Sequence, residues 1–175
     1  MLSKLIFGLA GLQASLILAA SNAVVVNRCP YDIWLWSVSP NNFGKPICVP
    51  AQTRHTEAYR TVSTSIKISK TNKLVAGKQT QFEYSIIKEQ LWFDISFVDC
   101  AEGSSADNCP GHDLGLMMTS SEPKCDDVEC GPNAYCPKQA FYVDQPLKKL
   151  GIPEPVFTCP GAGTGMDLQM IVCSG

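Results

Sequence analysis

Beyond its first twenty residues the 175-residue chain has no apolar run long enough to cross a bilayer, and no hydrophobic tail of the kind replaced by a lipid anchor. It contains no Asn-X-Ser/Thr, so N-glycosylation is not expected. Two histidines, His55 and His112, are all it offers to imidazole chemistry, and neither stands beside a Ser or Cys nucleophile motif. The glycine-rich "GAGTG" at 161–165 follows Pro160 and lacks the helix that a phosphate cradle needs. Helical periodicity is scarce, and neither an internal repeat nor a flexible linker divides the chain. What remains is the expectation of one all-β domain.

The N-terminus says where that domain works. "MLSKLIFGLAGLQASLILAA" carries one early cation, Lys4, then an apolar stretch from Leu5 to Leu18, then small residues. This is the layout of a secretory signal peptide, with cleavage expected between Ala20 and Ala23. A membrane anchor fits less well, because Gly8, Gly11, Gln13 and Ser15 interrupt an already short stretch. The expected organisation is a leader over 1–23 and a single domain over 24–175, in a protein that is secreted, extracellular or held in a cell wall. A monomer is expected.

All nine cysteines (29, 48, 100, 109, 125, 130, 136, 159 and 173) follow the leader, so disulfides are expected in an exported chain. The odd count leaves one thiol free or linking two chains. Zinc is the competing reading of "CDDVECGPNAYC" (125–136), but the spacing does not suit paired knuckles and the nearest histidine is His112. No metal and no cofactor are expected.

Charge is unevenly spread. Residues 28–88 carry nine bases and three acids, whereas 89–175 carry four bases and thirteen acids. So acidic a half argues against nucleic acid as a partner, and against attraction to anionic bilayer surfaces.

Short alternating runs mark the strands: "AVVVNRC", "YDIWLWSV", "STSIKISK", "TQFEYSI", "QLWFDISFVDC", and late in the chain "AFYVDQP", "VFTCP" and "MDLQMIVC". Residues 24–99 and 137–175 are thus expected to form the β core. Between them, "AEGSSADNCPGHD" and "SSEPKCDDVECGPN" are polar and rich in Gly and Pro. The segment 100–136 is therefore expected to be Cys-rich loops ordered by cross-links.

Two of the strand runs contain acids. If 80–87 and 90–98 form an antiparallel hairpin turning at Lys88-Glu89, Phe82 faces Ile95, Tyr84 faces Phe93 and Ile86 faces Leu91. That leaves Glu83 opposite Asp94, and Ser85 opposite Trp92, on the other face. A one-residue slip would destroy the segregation, so the register is well specified. Like charges so placed destabilise a sheet. Either one acid is protonated, a cation neutralises the pair, or the pair forms a site; splaying on a solvated face is the plain alternative. Asp99 has the wrong parity to join them unless the chain bends before Cys100.

"VVVNRCPYDIWLWS" (24–37), "QFEYSI", "WFDISFVD", "CPKQAFYVDQP" (136–146) and "FTCPGAGTGMDLQMIVC" (157–173) resemble, in order, segments of the thaumatin-like proteins. The short length and reduced cysteine set are most similar to the fungal, antigenic, yeast-phase-specific branch. The resemblance implies a flattened β-sandwich or barrel with a disulfide-stapled loop region. Its acidic cleft would fall on Glu83, Asp94 and Asp99, with Lys67 where plant members have arginine and Trp92 on the same face. It implies disulfides Cys29–Cys173, Cys100–Cys159 and Cys109–Cys136, with Cys125–Cys130 closing a local loop. Cys48 has no counterpart and is expected to be the free thiol; a Cys48-linked dimer follows if it is oxidised.

The resemblance leaves two main function classes in play, beside a third, a defence-type protein that acts on membranes or inhibits enzymes. One is a binding protein for β-glucan, another wall polysaccharide or a host surface protein, with roles in conidial germination or adhesion. The other is an endo-β-1,3-glucanase using Glu83 as acid with Asp94 or Asp99 as partner.

Overall fold

The computed structural model describes residues 21–175. Twelve strands among these residues form two sheets. The strands are β1 (Asn22–Asn27), β2 (Ile33–Val38), β3 (Ile47–Val49), β4 (Thr53–Ala58), β5 (Thr64–Ser69) and β6 (Thr80–Ile87). They continue with β7 (Gln90–Ser96), β8 (Leu116–Ser120), β9 (Val128–Cys130), β10 (Ala140–Phe141), β11 (Phe157–Thr158) and β12 (Leu168–Val172). A 3-10 turn at His112–Leu114 and the short helix α1, Pro146–Leu150, complete the elements.

The first sheet runs β4-β1-β12-β8-β9, and the second runs β10-β7-β6-β5-β2-β3 with β11 also on β7. Alternation explains the layering. Ala23 and Val25 of β1, Leu116 and Met118 of β8, and Leu168 and Met170 of β12 are buried. They share one core with Ile33, Leu35, Ile66, Ile68, Phe82, Tyr84, Leu91, Phe93 and Ile95 of the second sheet. Asn27 lies inside this apolar region and is fully satisfied there. Its Nδ2 donates to the carbonyls of Tyr31, Val49 and Pro50, and its Oδ1 accepts from Cys29 N–H. A buried amide with every bond made ties β1 to β3 at little cost.

The β6–β7 register is the one the hydrophobic pattern predicts: Phe82 opposes Ile95, Tyr84 opposes Phe93, Ile86 opposes Leu91, and Glu83 opposes Asp94. The hairpin turns at Lys88 and Glu89, whose φ angles of 51° and 62° are both left-handed. A two-residue turn of that hand matches the twist of the strands but is unfavourable for side chains with a Cβ.

Three expectations need correction. First, the segment 100–136 is not loop throughout. It supplies β8, which lies inside the first sheet between β12 and β9, as well as β9. Second, the domain does not begin at residue 24. Asn22 opens β1, and its backbone N–H and Nδ2 donate to Asp167 Oδ1 at 2.9 and 2.8 Å. Ala23 is fully buried. Residues 1–20 of the expected leader lie outside the described residues.

Third, most of the disulfide connectivity differs. The structure joins Cys29 to Cys173, but pairs Cys100 with Cys109, Cys125 with Cys159 and Cys130 with Cys136. Strand pairing gives the reason. Thr158 pairs with Trp92, and Cys159 N–H donates to Leu91, so Cys159 sits at the start of β7. Cys100 lies past the other end of β7, beyond about 17 Å of strand from Leu91 to Ser96 and the turn that follows. Cys125 reaches Cys159 instead, because Asp126 N–H bonds to Thr158 O. Cys109 then closes a short loop back to Cys100, and the turn through Gly131 and Asn133 returns Cys136 to Cys130. Cys48 is free and exposed.

Non-reducing peptide mapping should therefore yield these four pairs, with a thiol reagent labelling Cys48 alone; a Cys100–Cys159 peptide would contradict the strand pairing. Replacing Lys88-Glu89 by Asn-Gly should stabilise the protein by about 1 kcal/mol in denaturant titration, since these residues favour the left-handed turn. A loss of stability would show that the turn has another geometry.

Candidate functional site

The outer face of the second sheet carries the polar residues that alternate with the core. In register across β5, β6 and β7 lie a row of Ser65, Glu83 and Asp94 and a row of Lys67, Gln81 and Ser96. Ser85 opposes Trp92 beside the first row. The rows exist because each strand buries its other parity, so the acid pair is a consequence of the apolar register.

Asp99 reaches this face by a bend. Strand β7 stops at Ser96, and the chain then turns, with Cys100 and Ala101 N–H both donating to Phe97 O. Asp99 Oδ2 is thereby brought 2.9 Å from Lys67 Nζ, which also donates to Gln81 Oε1 at 2.7 Å. The Lys67 ammonium is thus committed to Asp99 and Gln81, one row away from Glu83 and Asp94.

The acid pair stands between two depressions. The larger, of about 600 Å³, is lined by Glu83, Asp94 and Trp92, by hydroxyls of Ser39, Ser63, Ser65 and Ser85, and by apolar Val38, Pro40, Ile87 and Val156. The smaller, of about 340 Å³, has Glu83 and Asp94 on one side and Gln81, Ser96, Val98, Phe141, Asp144 and Gln145 around it. Glu83, Asp94 and Trp92 therefore meet at one groove, while Lys67 and Asp99 form an ion pair next to it. Trp36 is buried and Trp34 half-buried, and neither lines the groove. Sequence reasoning missed the walls from Val38–Pro40, Val156 and Phe141–Gln145. None has a local signal, because each reaches the groove only through tertiary placement.

Enclosure dominates the electrostatics. Burial, then the neighbouring Glu83 charge, pushes the Asp94 carboxyl up to about 8. Burial also raises Glu83, while the Ser65 hydroxyl and Lys67 pull it down and Asp99 pushes it up. Asp94 Oδ1 is sealed from solvent and has no hydrogen-bond partner among the described residues. Such an atom is costly as part of a carboxylate and much less so in a neutral acid. No group of three or more His, Cys, Asp and Glu side chains is arranged to hold a metal ion among the described residues. The groove offers hydrogen bonding and proton transfer by paired carboxyl groups beside an indole.

Residues 11–149 match the family model of the Blastomyces yeast-phase-specific protein, Bys1. The chain is 25% identical to an antigenic thaumatin-like protein of Arthroderma benhamiae over 155 residues, covering 87% of this chain and 71% of that one. It is 26% identical to the secreted thaumatin-like protein calA of Emericella nidulans over 130 residues, covering 71% of each. Among solved structures it is similar to the protein elicitor MoHrip2 of Magnaporthe oryzae, with a TM-score of 0.66 and 18% identity, over 89% of this chain and all of that one. It is also similar to the thaumatin-like xylanase inhibitor TLXI, with a TM-score of 0.58 and 12% identity, over 86% and 98% of the two chains. At such identities these two structures speak to the fold alone.

The raised Asp94 value has a consequence for stability. The folded state holds a proton that the unfolded chain releases near its ordinary value of 3.8, so stability falls as pH rises from about 4 to about 8. Asp94→Asn removes that loss. It should leave the unfolding midpoint unchanged near pH 4 and raise it at pH 9 by roughly 5–10 °C, for about 2–3 kcal/mol after allowance for partial exposure. Thermal unfolding across pH checks this, and equal effects at both pH values would refute it.

Proposed function

Because the chain belongs to the Bys1 family of thaumatin-like proteins, we propose that it is a secreted, wall-associated binding protein that holds β-glucan in the groove over Glu83 and Asp94. The carrying observation is the meeting of Trp92 with the acid pair in one depression large enough for sugar rings. Carboxyl groups and serine hydroxyls exchange hydrogen bonds with sugar hydroxyls, which both donate and accept. An indole and the apolar rim of Val38 and Val156 offer surface to the C–H faces of a pyranose. Export is supported by the expected leader, by four disulfides and by the likeness to the secreted Emericella protein. Holding a wall polymer at the cell surface would serve conidial germination or adhesion to a host surface.

A second reading, hydrolysis of β-1,3-glucan, is favoured by one observation: two enclosed carboxyl groups directly opposite each other, both with raised proton affinity, which moves the acid role expected of Glu83 to Asp94 as the one raised to about 8. In that reading the acid would protonate the glycosidic oxygen and its partner would act as nucleophile. Directly opposed side chains, with Cβ atoms about 4.5–5.5 Å apart, suit retention better than inversion. The structural likeness to a xylanase inhibitor suggests a third class of partner, a carbohydrate-active protein.

Retention on insoluble β-1,3-glucan, with laminarin turnover measured alongside, separates these readings. Wild type should be retained without releasing sugar, and Trp92→Ala should weaken retention about tenfold, or roughly 1.4 kcal/mol. Sugar release abolished by Glu83→Gln and by Asp94→Asn would establish the hydrolase instead. Equal retention of wild type and Trp92→Ala would remove the groove from the account.

A further inference from the structure

Resting on the reading of the groove as a glycan site, we propose that Glu83 and Asp94 hold a single proton between them. This proton lets the groove grip an uncharged, hydroxyl-rich ligand and release it as the medium turns alkaline.

The argument starts from the count of neutralising groups. Two carboxylates directly opposite each other on neighbouring strands require a counter-charge. The charged groups facing them are Lys67 from β5, Asp99 from the turn after β7, and Asp144 from the segment before α1. Asp144 is itself paired with Lys149. Lys67 is committed to Asp99 and Gln81, so among the described residues no cation sits between the acids. From β6 and β5 the remaining neighbours are the neutral Gln81 and Ser65. A proton is then the smallest agent that can remove one of the charges. Asp94 is the better holder, because its Oδ1 is sealed without a partner, whereas Glu83 has Ser65 and Lys67 nearby to support its charge.

The half-protonated pair presents a donor beside an acceptor. A sugar hydroxyl donates and accepts at once, so it fits both members. Loss of the proton leaves two acceptors and two charges, which a ligand would have to cover while excluding water. The affinity for a neutral glycan then falls, by at most tenfold per pH unit for one proton.

The experiment is retention of the full-length secreted protein on insoluble β-1,3-glucan between pH 5 and pH 9, with carbon-13 shifts of the Asp94 carboxyl followed in parallel. Wild type should bind evenly up to about pH 7 and lose about tenfold by pH 9. Asp94→Asn carries a permanent amide donor and should show no pH dependence, whatever its level of retention. Retention of wild type that ignores pH, or an Asp94→Asn profile that follows wild type, overturns the proposal. So does an Asp94 carboxyl that titrates near 4. An Asp94 carboxyl titrating near 8 without retention at any pH would overturn the glycan reading and leave the shared proton standing.

Discussion

The pairing register of β6 and β7 is the constraint on which the rest of the molecule turns. Phe82, Tyr84, Ile86, Leu91, Phe93 and Ile95 occupy one face of this hairpin and supply a large part of the shared core. Burying each such side chain is worth about 1.5–3 kcal/mol, so the six together contribute on the order of 10 kcal/mol. Facing two acids across the opposite surface costs a few kcal/mol, and a proton can remove most of that. The apolar face wins, and the acids stay where the register puts them. The groove is therefore built on a consequence of core packing rather than on flexible loops, which favours a fixed geometry for whatever binds there.

That logic also decides what could be read from the amino acids in advance. The β6–β7 register was legible because a slip by one residue exchanges every buried side chain for a polar one. β5 was legible for the same reason, and β1 and β2 as short apolar runs of β-branched and aromatic residues. Strand β4, with the sequence Thr-Arg-His-Thr-Glu-Ala, was not: it lies at a sheet edge, is largely exposed, and has no apolar alternation to find. Strand β8 does alternate, with Leu116 and Met118 inward, but its five residues are flanked by Gly-rich and Pro-containing stretches that read as loop.

Of the site, Glu83, Asp94 and Trp92 followed from strand parity, and Asp99 followed once a bend was allowed. The commitment of Lys67 to Asp99 did not follow, because ion-pair partners depend on where a turn ends. The disulfides were the least legible feature. Their pairing rests on which end of β7 receives β11, and no spacing between cysteines contains that fact. The family resemblance supplied the architecture correctly but three of its four bridges incorrectly. Likeness of fold thus survives changes of cross-linking, and it leaves the chemistry to be argued from the groove itself.

Strand β12 lies between β1 and β8 and runs parallel to β1, residue for residue from Ala23 beside Leu168 to Asn27 beside Val172. A strand made more than a hundred residues after β1 is thus the central plank of the first sheet. A growing chain holds β1 and β8 with one ladder each unfilled until β12 has been made. Closure must then wait for β12, across a loop of more than a hundred residues, before Cys29 and Cys173 can meet. Loss of β12 would leave an open seam in the middle of the sheet.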